Sequence, residues 1–229
     1  MKLFSDRLKQ ILDEINETKI KAKRSDDVLL MAVSKTHPPE AIIEAIDAKQ
    51  LLFGENRVQE IEQKFPIENK EYKLHMIGHL QSNKVRKVVP LVDSIDSVDS
   101  EKLLRLINKE GQRFEKIVPI LIEYNTSLES SKAGFTTLDA YYKALEVALT
   151  LPYIKIDGLM TIGPLGKGEK EVRGAFSFLY ELKVKSETKY KELKMEVLSM
   201  GMSGDYKWAI QEGSTLVRIG TALFGQRSY

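Results

Sequence analysis

The chain has 229 residues, 42% hydrophobic and 30% charged, and its 35 Lys plus Arg nearly balance 33 Asp plus Glu, for a formal net charge of +2. That is an ordinary globular composition with ample material for a core, and the near-balance of charge gives no global argument for nucleic-acid binding. It contains no cysteine, which excludes a disulfide framework and a thiolate metal site.

The first residues carry charges every few positions, without the apolar stretch of a signal peptide, and no run approaches a membrane span. A cytoplasmic protein with no membrane contact is expected. The sequons at Asn16 and Asn125 then read as chance matches. Leu8, Ile11, Leu12 and Ile15 share one face of an amphipathic helix from about Leu3 to Ala22, packed outside or below whatever follows. The basic cluster of Lys19, Lys21, Lys23 and Arg24 reads as a solvated helix end.

Leu29 to Val33 is an unbroken apolar run, the pattern of a strand buried on both faces. It runs into Ser34-Lys35-Thr36-His37 and stops at Pro38-Pro39. In a barrel of parallel strands the C-terminal strand ends carry the chemistry, so Lys35 stands where a reactive lysine is expected. Apolar walls would partly desolvate its ammonium and leave an amine able to form a Schiff base. Position alone is equally compatible with a lysine that marks where the strand meets water.

Pro39 opens a helix with Ile42, Ile43 and Ile46. Leu51-Leu52-Phe53 is a short strand, with Gly54 permitting a tight exit and Asn56 and Arg57 at its tip. A helix with Val58, Ile61 and Phe65 follows, then a strand at Leu74 to Ile77 ending in Gly78-His79. Either Ser82 caps the next helix, with Val85, Val88 and Val89, or the turn begins nearer Leu80. Val92 to Val98 alternates as a weak strand. Asp99 or Ser100 starts a helix that should end near Gly111.

Ile117 to Glu123 is another apolar run, although Pro119 is unusual for a central strand. A polar loop through Asn125 and Lys132 to Phe135 is long enough to form part of a site. A helix over about Leu138 to Leu149 and a strand over Ile154 to Met160 come next. Gly166 to Lys170 lacks the spacing of a P-loop, which argues against a nucleotide site. Gly174 to Lys185 reads as helix and Met195 to Leu198 as strand. A short helix through Trp208 to Gln211 and a strand over Leu216 to Ile219 complete the alternation. About eight strand–helix repeats predict an α/β fold, a single (β/α)8 TIM barrel over residues 1–229 with an extra N-terminal helix.

Two late segments look built to hold a phosphate. Ser203 reads as the N-cap of the helix carrying Trp208, flanked by Gly201 and Gly204, and Gly220-Thr221 follows the final strand. Both are equally readable as helix capping and tight turns. Arg218, inside the last strand, needs a buried partner: either an acidic residue within the barrel or a heteroaromatic ring nitrogen. First and last strands are neighbours in a closed barrel, so a ligand carrying both an aldehyde and a phosphate could span from Lys35 to the late loops. Pyridoxal 5′-phosphate has those groups.

The segments Ala32-Val33-Ser34-Lys35-Thr36, Phe53-Gly54-Glu55-Asn56, His75 to Lys84, Leu198 to Ser203 and Val217 to Ala222 closely resemble, over nearly the whole length, the YggS/PROSC-type pyridoxal phosphate homeostasis proteins. The resemblance implies a fold-type III barrel related to that of alanine racemase. It implies that Lys35 forms the covalent aldimine with the cofactor. Ser203, Gly220 and Thr221 would surround the phosphate with Met202 beside them, Arg218 would lie near the pyridine nitrogen, and Asn56 near the cofactor. Asn83, Lys84 and Lys132 also match family positions but carry no cofactor assignment. Ile122 to Asn125 departs from the expected strand exit, which leaves Asn125 without a role.

An arginine at the ring nitrogen would disfavour its protonation and make a poorer electron sink for a carbanion, although some racemases work this way. Related racemases draw a second acid/base from another subunit or domain, for which this sequence shows no counterpart. His37 and His79 are expected in structural hydrogen bonds. The expected function is therefore a monomeric pyridoxal phosphate carrier or regulator without substantial catalysis, which could hand the cofactor to apo-enzymes. The alternatives are a pyridoxal phosphate-dependent amino-acid racemase and a barrel aldolase using Lys35 on a phosphorylated sugar.

Overall fold

The computed structural model describes residues 3–65, 71–129 and 131–225. Met1, Lys2 and Ser130, which fall within segments read above, lie outside the described residues. The strands are β1 (Leu29–Val33), β2 (Leu52–Glu55), β3 (Lys73–Met76), β4 (Ser94–Val98), β5 (Val118–Glu123), β6 (Ile154–Met160), β7 (Val197–Ser199) and β8 (Leu216–Ile219). All pair in parallel in sequence order, and β1 closes on β8. The helices are α1 (Phe4–Lys21), α2 (Pro39–Asp47), α3 (Val58–Lys64), α4 (Val85–Val88), α5 (Glu101–Arg113), α6 (Leu138–Leu149), α7 (Glu169–Lys189), α8 (Tyr206–Gln211) and α9 (Thr221–Phe224). The eight-stranded (β/α) barrel and its extra N-terminal helix stand as read from the repeats.

Strand alternation divides the apolar residues into two bodies. Outward residues such as Leu30, Ala32, Phe53, Leu74, Ile95, Ile120 and Ile122 pack under the helices in the main core. Met31, Val33, Ile77 and Leu216 form a small separate cluster inside the barrel. α1 lies against α8 and α9, where Arg7 Nε donates to Leu223 O, and Lys207 and the Tyr206 hydroxyl engage Glu14. No described helix is long and apolar enough to cross a membrane.

Several local readings change. Leu12 is 45% exposed and Ile43 59% exposed, so the buried stripes of α1 and α2 are narrower than their apolar residues suggested. Arg24 is no solvated helix end: its guanidinium donates to Ile210 O and Ser214 O and pairs with Asp26. Gly54 is not an exit but lies within β2, where a Cβ would sit 2.5 Å from Met31 Sδ. α5 ends at Arg113, close to Gly111 as read, and Gly111 itself lies in the last turn, packed against Lys116 O and Tyr153. Ser100 is the α5 N-cap, accepting from Leu103 N at 3.3 Å. Ser82 opens a 3-10 turn without making a cap bond. Pro119 is accommodated within β5, half-buried opposite Lys155. α7 is longer than read, beginning at Glu169 and ending at Lys189.

Candidate functional site

The C-terminal strand ends form one mouth. Lys35 follows β1 in a turn, half-buried, with Thr36 behind it at φ 67°. The register pairs Val33 with Gly54, and Lys35 and Asn56 each stand two residues beyond that pair, Lys35 in the turn after β1 and Asn56 in the bend after β2. Asn56 Oδ1 is buried without a hydrogen-bond partner. Its position is held by Gly78, where a Cβ would come within 2.5 Å of Asn56 O and 2.9 Å of Asn56 Cβ.

On the other side of β1 the late loops converge. Gly220 caps α9, its carbonyl accepting from Leu223 and Phe224 N–H at 2.9 Å each. A Cβ on Gly220 would lie 3.2 Å from Val33 O, so the β8 exit runs directly against the β1 exit. Thr221 follows, exposed. Ser203 is not the N-cap of α8; that position belongs to Asp205. Instead Ser203 Oγ accepts from Ala222 N at 3.4 Å and ties the β7 loop to α9. The Met202 N–H donates to Asp205 Oδ1 at 2.6 Å, and its carbonyl accepts from Asp205 and Tyr206 N–H. Gly201 has φ 95°, and a Cβ there would sit 2.6 Å from Ala209 Cβ, so only glycine lets the β7 exit pass under α8. Lys35, Asn56, Ser203, Gly220 and Thr221 thus all lie at the mouth, with Arg218 below them on β8.

Arg218 is buried. It donates to Ser199 Oγ at 2.8 Å and to Thr161 O at 2.9 Å. Burial pulls the guanidinium below its usual value, opposed by the charges of Asp96, Glu123 and Asp205. Of the two partners anticipated for Arg218, the acidic one is not in direct contact: among the described residues, neutral oxygens hold it and the carboxylates act at longer range. Burial pushes the Glu123 carboxyl up to about 7, against the pull of Arg218. Below it, His75 Nδ1 meets Asp96 Oδ2 at 2.9 Å, and Ser94 Oγ donates to Asp96 Oδ1 at 2.6 Å. Burial works against charge on His75, but Asp96 outweighs it and raises the imidazole's pKa.

Glu123, Asp96 and His75 did not stand out in the sequence. Inward parity along β3, β4 and β5 is the signal that could have found them, since each falls among apolar neighbours of the opposite parity. Asn125 is a loop organiser, donating to Glu129 O and Lys132 O and accepting from Ser127 Oγ. Lys132 donates to Glu129 Oε1 and Gly163 O. Asn83 is exposed in the 3-10 turn, with Lys84 half-buried beside it. His79 Nδ1 meets Asp99 Oδ2 at 2.9 Å, and His37 stacks on Phe224 with centroids 4.8 Å apart.

The family model of the alanine racemase N-terminal domain matches residues 7–228. The pyridoxal phosphate homeostasis protein of Aquifex aeolicus is 38% identical over 226 residues, which cover 98% of each chain. The structure of PipY of Synechococcus elongatus with pyridoxal phosphate bound superposes with a TM-score of 0.84 at 33% identity, covering 97% of this chain and 100% of that one. An alanine racemase of Clostridium difficile shares the fold at a TM-score of 0.74 and 15% identity, covering 96% of this chain and 57% of that one.

Proposed function

The chain belongs to the alanine racemase N-terminal domain family and, within it, to the pyridoxal phosphate homeostasis proteins, and from that membership we propose that it holds pyridoxal 5′-phosphate at Lys35 and serves intracellular vitamin B6 homeostasis without substantial catalysis. The residues at the mouth fit that group. Asn56 Oδ1 is an orphaned buried acceptor, which costs about 1–3 kcal/mol until something donates to it. Gly201 and Gly220 let the β7 and β8 exits pack closely against α8 and the β1 exit, which brings the two late loops to the mouth. The observation that carries the reading is the packing of Gly220 against Val33 O, because it sets the phosphate-type loop and the lysine turn side by side.

When bound, pyridoxal 5′-phosphate supplies an amine-reactive aldehyde and an anionic tail. On this reading Lys35 provides the amine. Ser203, Thr221 and the backbone at Met202 and Gly220 hold the anion, and Asn56 orients the ring. Arg218 stands at the ring nitrogen. A permanently protonated guanidinium there opposes a second proton and favours storage over carbanion chemistry. The reading takes residues 1–229 as one domain, working in the cytoplasm as a monomer that could deliver the cofactor to apo-enzymes.

The alternative is an amino-acid racemase, and α-proton exchange separates the two. Protein loaded with pyridoxal phosphate, incubated with a panel of amino acids in D2O, should leave the Cα–H signals intact by NMR. Deuterium entering at a catalytic rate would overturn the non-catalytic reading.

A further inference from the structure

Outside the barrel wall, directly behind the Lys35 turn, lies a buried ionic cluster. Lys64, at the end of α3, is 8% exposed. Its Nζ donates to Ser34 O at 3.0 Å, pairs with Glu55 Oε1 at 3.2 Å, and closes on Glu60 Oε2. Ser34 Oγ donates to Glu55 Oε1 at 2.7 Å. Glu60 Oε2 also accepts from Thr36 N at 2.7 Å. The cluster therefore grips the chain at the carbonyl before Lys35 and at the amide after it, on the face opposite the barrel axis.

Two features mark this as more than a stabilising ion pair. Thr36 is β-branched yet has φ 67°, a conformation such residues avoid unless the surroundings impose it. Glu55 is fully buried with Oε2 unpartnered, and burial raises its carboxyl pKa. Replacing such a cluster by apolar side chains would commonly match or exceed its stability. The strained backbone and the unpaired oxygen are both tolerated at one place, around the lysine that the site requires.

We propose that Lys64 and Glu60 are positioning residues that hold the Ser34–Thr36 turn and so aim the Lys35 amine at the ligand aldehyde. The inference rests on Lys35 being the anchor. Pyridoxine 5′-phosphate, which has the same ring and phosphate but an alcohol in place of the aldehyde, reports binding without attachment. The variants are Glu60→Ala, which removes the carboxylate that holds Thr36 N and Lys64, and Glu55→Gln/Lys64→Met, which removes the buried Lys64–Glu55 pair and leaves Glu60 with its Thr36 bond.

Both variants should bind pyridoxal 5′-phosphate at least tenfold more weakly, with reduced visible absorbance at saturation, while pyridoxine 5′-phosphate binds within twofold of the parent. Lys64→Arg should recover part of the loss. Equal weakening of both ligands would mean that the cluster is merely structural and would overturn the proposal. Unchanged binding of both in Glu60→Ala would also overturn it, and that variant keeps the test open if the double variant does not fold. Lys35→Ala separates the underlying reading: if it binds both ligands as the parent does, the anchor is elsewhere and the reading itself fails.

Discussion

Gly78 and Asn56 compete for the same space. A Cβ on Gly78 would lie 2.5 Å from Asn56 O and 2.9 Å from Asn56 Cβ, so the bare backbone after β3 is what lets the β2 exit present Asn56 to the mouth. Gly78→Ala should displace Asn56. The expected result is roughly tenfold weaker pyridoxal phosphate binding, with about 1–3 kcal/mol lost from unfolding stability through overpacking. Titration followed by absorbance and urea unfolding would measure the two effects. A variant with parental affinity would remove Asn56 from the site.

Glu123 should make the barrel interior pH-sensitive. Burial raises its carboxyl from an ordinary 4.5 to about 7. The folded chain therefore holds the proton more tightly than the unfolded chain. This contribution is fully present below about pH 4.5 and is lost as pH rises through about 7. Glu123→Gln should gain stability relative to the parent between pH 5 and pH 8, by roughly 2 kcal/mol and at most about 3. Urea unfolding of both proteins at the two pH values would show it. A pH-independent difference would mean that Glu123 is ionised throughout.

Ser203 should discriminate the phosphate. Its hydroxyl lies against α9 beside Gly220, and a charge-assisted hydrogen bond is worth about 1.5–3 kcal/mol. Ser203→Ala should weaken pyridoxal 5′-phosphate binding about tenfold or more and leave binding of the unphosphorylated aldehyde unchanged. Equal losses for both ligands would place Ser203 away from the anion.

The barrel was legible because apolar runs and amphipathic stretches alternate eight times, and that period survives irregularities such as Pro119. Gly54 looks like a break locally but sits inside β2, where the side chains of Met31 and Ile77 leave no room for a Cβ. Ser203 was misassigned as a cap because a serine before a helix is a common cap, whereas the turn delivers Asp205 to that position and frees Ser203 for α9. The candidate site was legible mostly through resemblance, since Lys35 and Arg218 each had a plausible structural role. Lys64 was invisible: a lysine on a short helix reads as solvated until the fold puts it behind Ser34.

The central claim is attachment at Lys35. Protein saturated with pyridoxal 5′-phosphate, reduced with borohydride, digested and mapped by mass spectrometry, should carry the added phosphopyridoxyl mass on the peptide containing Lys35. Lys35→Ala should lose both that mass and the visible absorbance while keeping its melting transition. A label found instead on Lys84 or Lys132, with Lys35 unmodified, would contradict the account.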